Sequence, residues 1–169
     1  MSQDLKVAFG NQEELFPLDF NAFTISNIQC LGFELKGDNT QLGFEFEKQP
    51  IFLAINSKFN ENLKPSRVAG FDYQLELVLN LEMKLGKNDQ DAPTSEAKFS
   101  FLYQFDLQDL GNYFKANNQA DTLSIISLAN LAGLAYSTTR GLVLSYLERS
   151  IFKGYILPVV NPFSLVIGT

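Results

Sequence analysis

The sequence contains no histidine and a single cysteine, Cys30. Without histidine the chain lacks the commonest general base, the commonest metal ligand and the side chain that titrates near neutrality. One cysteine excludes an internal disulfide and a cysteine-ligated metal cluster. Cations are also scarce. Lys and Arg number 13 against 19 Asp and Glu in 169 residues, a net charge of −6. That balance argues against non-specific nucleic-acid binding, which needs clustered cations to neutralise phosphates. The opening residues, Met1-Ser2-Gln3-Asp4-Leu5-Lys6, show no basic stretch leading into an apolar one. No secretory signal is read there, and cytoplasmic residence is expected. An unpaired cysteine agrees with a reducing compartment.

Apolar mass, by contrast, is plentiful. Hydrophobic residues make up 46% of the chain, and 16 of them are phenylalanine. This supports one packed domain over residues 1–169. An aromatic-rich, catalytically poor composition points to binding rather than to chemistry. No charge occurs from Thr122 to Thr139, the minimum length for a membrane span, but Ser124, Ser127, Asn130, Ser137 and Thr138 interrupt it. Polar side chains are costly in hydrocarbon, so a buried helix is expected and not an integral membrane segment.

The clearest pattern runs from Phe71 to Leu85. Phe71, Tyr73, Leu75, Leu77, Leu79, Leu81, Met83 and Leu85 alternate with mostly polar residues. Period two over this length predicts a strand with one apolar and one wet face, as in antiparallel sheets. A polar stretch at 86–95 separates it from a second alternation, Ala97, Phe99, Phe101, Tyr103, Phe105 and Leu107, predicting a hairpin. Ile51, Leu53 and Ile55 predict a shorter strand ending near Phe59. Phe23, Ile25, Ile28, Cys30, Leu31, Phe33 and Leu35 are spaced with a shifting phase, which predicts a strand carrying a bulge or bend. The connection between these two strands, 37–50, is too long for a tight turn and carries Phe44 and Phe46. There, core anchoring and ligand contact are both open readings.

From about Asp121 the spacing becomes helical, with Asp121 or Thr122 as the expected cap. Gly133 and Gly141 leave room for a break in that helix. Arg140, interrupting an apolar stretch, reads as a buried or interface ion-pair partner. The tail from Gly154 carries Pro158 and Pro162 and is expected to be extended. No nucleophile elbow, phosphate loop or dinucleotide fingerprint is present. Asp89-Gln90-Asp91 lacks the glycine and glutamate of a calcium loop. The acidic pairs Glu45/Glu47 and Asp106/Asp109 read as surface. No enzyme activity, cofactor or metal is expected.

The order of elements, together with Asn130 to Tyr136, Arg149 and Leu157-Pro158-Val159-Val160-Asn161, resembles the SecB family of bacterial export chaperones. Leu134-Ala135 stands where the family has Phe-Pro, so the resemblance is to a diverged member. It implies an α+β fold: a four-stranded antiparallel sheet with a long crossover between strands 1 and 2, then C-terminal helices packed on the sheet. It implies a holdase that works without ATP on unfolded or precursor polypeptides, for export or for a dedicated client such as a toxin–antitoxin pair. It also implies a homotetramer built as a dimer of dimers. By position, Phe44, Phe46, Leu53, Ile55 and Tyr136 would line a peptide groove. The chain ends three residues after Val166, so it is expected to lack the mobile tail with which export members engage the translocase motor. The competing readings are a small apolar-ligand-binding domain and a structural adaptor.

Overall fold

The computed structural model describes residues 22–37, 50–60, 62–86, 95–108 and 125–167, and the backbone of 114–117 and 120–123. Its main sheet is built on β4 (Tyr73–Leu85) and β5 (Ser95–Leu107), paired antiparallel in register from Tyr73 opposite Leu107 to Leu85 opposite Ser95. Alternation dictates the outcome. Leu75, Leu77, Leu79, Leu81, Met83 and Leu85 are buried on one face, facing the same side as the buried Ala97, Phe99, Phe101, Tyr103 and Phe105. Each fully buried Leu or Phe contributes about 1.5–3 kcal/mol, so this double row holds most of the core.

β1 (Phe23–Gly37) pairs with β5, and β2 (Ile51–Phe59) pairs with β4, giving the order β1-β5-β4-β2. The sequential neighbours β1 and β2 therefore lie at opposite edges, which is what the long connection between them must span. The shifting phase of β1 has a double cause. Register shifts fall between Ile25 and Asn27 and again between Cys30 and Gly32. Each shift swaps the faces. As a result Phe23, Ile25, Ile28, Cys30, Phe33 and Leu35 all stand opposite odd-numbered β5 residues of the buried face. A fifth short strand, β3 (Lys64–Pro65), pairs with β4 beyond the end of β2.

Two expectations are corrected. The residues Asp121 and Thr122 do not cap a helix. They lie in β7 (Ala120–Leu123), which pairs with β6 (Phe114–Asn117) as a small antiparallel ribbon. Helix α1 then runs from Ile125 to Leu147 without a break at Gly133 or Gly141. Two internal glycines cost about 1 kcal/mol each. Burial of Leu128, Leu131, Ala132, Ala135, Val143 and Leu147 against the sheet outweighs that. Tyr103 of β5 and Thr139 of α1 share a buried hydroxyl–hydroxyl bond of 2.6 Å, which fixes the helix over the sheet.

After α1, Ser150 turns the chain, with its hydroxyl donating to the Leu147 carbonyl. The segment 155–161 is neither helix nor strand and leads into α2 (Pro162–Ile167), so the end of the tail expected to be extended is helical. Pro162 occupies the first helical position, and the Asn161 side chain accepts the Phe163 amide at 3.0 Å as a cap. Phe152, Leu157 and Leu165 close the core from this end. Among the described residues no helix is long and apolar enough to cross a membrane.

Candidate functional site

The expected groove residues fall into three groups. Phe44 and Phe46 lie outside the described residues, as do Glu45, Glu47 and the Asp89–Asp91 stretch. Leu53 and Ile55 sit on edge strand β2, half-buried against the core and facing the helix side. Tyr136 is buried within α1, and its hydroxyl donates to the Pro158 carbonyl at 2.8 Å. Burial holds its phenol above the ordinary tyrosine range, with the Arg140 charge opposing that shift.

Arg140 lies one turn along α1. Its Nε donates to the Leu157 carbonyl at 2.9 Å, so its described partner is a backbone carbonyl rather than the carboxylate expected from sequence. Tyr136 and Arg140 thus take the carbonyls of two successive residues of the segment 155–161. Gly133 completes the arrangement. A Cβ there would stand 3.0 Å from the Pro162 ring, so a larger residue would press α2 outward by a few tenths of an ångström. At its other side α2 rests on β2, where the Ser57 hydroxyl donates to the Leu165 carbonyl.

This clamp leaves apolar surface on its outside. Val159 is 82% exposed, Ile156 68%, Ile167 62% and Phe163 40%. Phe163 and Ile167 belong to α2, which meets β2 where Ser57 bonds to Leu165. The result is exposed apolar surface on α2 and on the segment before it. It offers contact area and no nucleophile or acid–base pair.

A second apolar surface was not singled out from the sequence. Ile28, Leu31 and Phe33 on edge strand β1 are exposed, as are Leu144 and Tyr146 on α1. Phe33 stacks on Phe99 at 5.0 Å and meets Tyr146 at 5.3 Å, with Phe101 6.4 Å from Tyr146. The signal available was the apolar phase of β1. What the sequence does not reveal is that α1 stops short of covering it.

The opposite face of the sheet is polar. Lys98 pairs with Glu82 at 3.2 Å and Glu96 at 3.1 Å, and Lys84 with Glu82 at 3.4 Å. Beside this ladder an open trough of about 660 Å³ crosses the strands over Gly32, Ala54, Asn56, Asn80 and Ser100. Among the described residues no three His, Cys, Asp or Glu side chains are placed to hold a metal ion.

No family model matches the sequence, and no curated protein matches it. Solved structures do match. One is a SecB-like chaperone of Mycobacterium tuberculosis in complex with a ChAD peptide from the HigA1 antitoxin. It is 13% identical, with a TM-score of 0.52, covering 83% of this chain and 92% of that one. The fold of this chain is SecB-like.

Proposed function

We propose that this chain is an ATP-independent chaperone that holds non-native polypeptide in the cytoplasm. The observation that carries this reading is the exposed apolar surface of α2 and the segment before it, Ile156, Val159, Phe163 and Ile167, set on a SecB-like frame. Extended, unfolded chain is the ligand such a surface suits. It offers many shallow apolar contacts without a closed cavity, and its neighbouring sheet edge supplies backbone pairing. Leu53, Ile55, Phe163, Ile156 and Val159 form the contact surface, with Phe44 and Phe46 of the crossover joining them. Tyr136 acts by holding the segment in place. The likeness to a chaperone bound to an antitoxin peptide favours a dedicated client of that kind over general export.

Assembly belongs to the same reading. A long edge strand with exposed Ile28, Leu31 and Phe33 is an aggregation hazard unless covered. Pairing of β1 with a second copy, and of two such dimers into a tetramer, covers it.

The test is suppression of aggregation of a chemically unfolded protein, followed by light scattering without nucleotide. The wild-type chain is expected to suppress it at near-stoichiometric ratios. Val159→Asp, Phe163→Asp and the double substitution Phe44→Ser with Phe46→Ser are each expected to weaken client binding about tenfold or more. A chain that gives no protection and shows no affinity for an unfolded protein refutes the proposal.

A further inference from the structure

On the polar face of the sheet one row of residues is short from edge to edge. Gly32 stands opposite Ser100, Ser100 opposite Asn80, and Asn80 opposite Asn56, so the row crosses β1, β5, β4 and β2 in register. It floors the open trough of about 660 Å³. The rows on either side are longer: Glu34, Lys98 and Glu82 on one, Leu102 and Val78 on the other. Glycine and asparagine are poor strand formers, and nothing inside the chain asks for them here. Gly32 follows a register shift, but its φ is not positive, and nothing lies within 4 Å of a Cβ built on it. Asn80 is exposed in the middle of β4, and Asn56 is exposed on β2. Among the described residues the side chains of Asn56, Asn80 and Ser100 have no hydrogen-bond partner. A row that breaks strand preference at Gly32, Asn80 and Asn56 with no internal gain marks space kept clear for something outside.

We propose that this trough takes an extended stretch of client polypeptide that carries a lysine or arginine, laid across the strands. The proposal rests on the chaperone reading, because continuity with the α2 surface supplies the occupant. Asn56 and Ser57 are consecutive on edge strand β2 and face opposite sides: Ser57 seats α2, and Asn56 floors the trough. A chain that leaves the α2 surface over this edge arrives at the trough. There each carboxamide offers a carbonyl acceptor and N–H donors, a match for the peptide group. The row spans three strand spacings, about 14 Å, the length of about four extended residues. Charge selects among polymers. The lining holds Glu34 and Glu82 against Lys98, and Lys98 is already engaged by Glu82 and Glu96. That excess of carboxylate repels phosphate and attracts a basic side chain.

The test uses the full chain and three synthetic peptides: an apolar octapeptide, the same peptide continued by Ser-Asn-Lys-Ser-Asn, and that continuation alone. Affinity and the amide correlation spectrum are read at low salt. The continuation is expected to tighten binding about tenfold and to shift amides at 32–34, 54–56, 80–82 and 98–100. Glutamate in place of its lysine is expected to lose most of that gain. Asn56→Val with Asn80→Val fills the trough with residues that strands prefer. The double variant is expected to abolish the gain while holding or raising the urea midpoint, a pairing that loss of structure would not produce. Should it fail to fold, Gly32→Val serves instead, since a Cβ there meets nothing. A gain of equal size in the filled variant, or shifts that avoid the trough, overturns the proposal. So does an equal response to a thymidine pentanucleotide, which would assign the trough to another polymer. An apolar peptide that does not bind refutes the chaperone reading, and the continuation alone then decides the trough: saturable shifts at the same residues sustain it, and their absence overturns it.

Discussion

Tyr103 shows how single side chains couple the layers of this molecule. Its ring is fully buried, and among the described residues its hydroxyl bonds to Thr139 of α1. Burial raises its phenol above the ordinary tyrosine value, with the Thr139 bond acting against the shift. A group whose folded value is raised stabilises below the unfolded value and loses that contribution as pH rises through the folded one. Stability is therefore expected to fall above about pH 10, and Tyr103→Phe to flatten that fall in denaturant titrations across the alkaline range. At pH 7 the same substitution is expected to cost about 1–3 kcal/mol, because Thr139 is left buried without a partner. Glu76 has the opposite sign. The Lys64 bond, aided by the Asn60 and Gln104 amides and opposed by burial, holds its carboxyl below 4.5. Its contribution is present above that value and lost as pH falls through the lowered one. Glu76→Gln is expected to cost about 1 kcal/mol or less at pH 7, since the Lys64 end is solvent-screened, and nothing measurable near pH 2.

At the scale of elements, the two glycines of α1 separate local propensity from tertiary contact. Nothing lies within 4 Å of a Cβ built at Gly141, whereas Pro162 lies 3.0 Å from one built at Gly133. Gly141→Ala is expected to stabilise the protein by about 0.5–1 kcal/mol. Gly133→Leu is expected to destabilise it by about 1–3 kcal/mol by forcing α2 off the helix. Urea unfolding of the two variants checks both, and a stabilised Gly133→Leu would show that α2 has room to move. The clamp between α1 and the segment 155–161 belongs to this scale too. Its donors, Tyr136 and Arg140, are spaced one turn apart, so one helix face grips two consecutive carbonyls.

For the whole molecule, the main consequence is that, among the described residues, β1 and β2 form the two sheet edges, with apolar residues at or near each. The two edges differ in chemistry. The β2 edge is flanked by α2, while the β1 edge carries exposed Phe33 against Tyr146. Gln29→Pro removes a donor near the middle of β1. Under the proposed assembly it is expected to shift native mass from tetramer or dimer to monomer and to leave client contact at the α2 surface measurable. An unchanged mass for this variant would place the contact between copies elsewhere.

Much of the sheet was legible in the sequence because its signal is local. Alternation at Leu75 to Leu85 and Ala97 to Phe105 reports which face is buried, and the shifting phase of β1 reports an irregularity there, while the pairing with β5 shows two register shifts. The tail was legible only in part: 155–161 is free of helix as expected, whereas Pro162 opens α2 instead of prolonging an extended run. The start of α1 was not. Asp121 and Thr122 carry good capping chemistry, yet strand pairing with Lys115 and Ala116 claims them. Nor did spacing reveal that Tyr136 turns inward to the Pro158 carbonyl, that Arg140 binds backbone, or that Gly32, Ser100, Asn80 and Asn56 share one row. Those outcomes depend on which distant segments arrive beside them. Strand periodicity is a property of the chain, and the partners of a polar side chain are a property of the packed molecule.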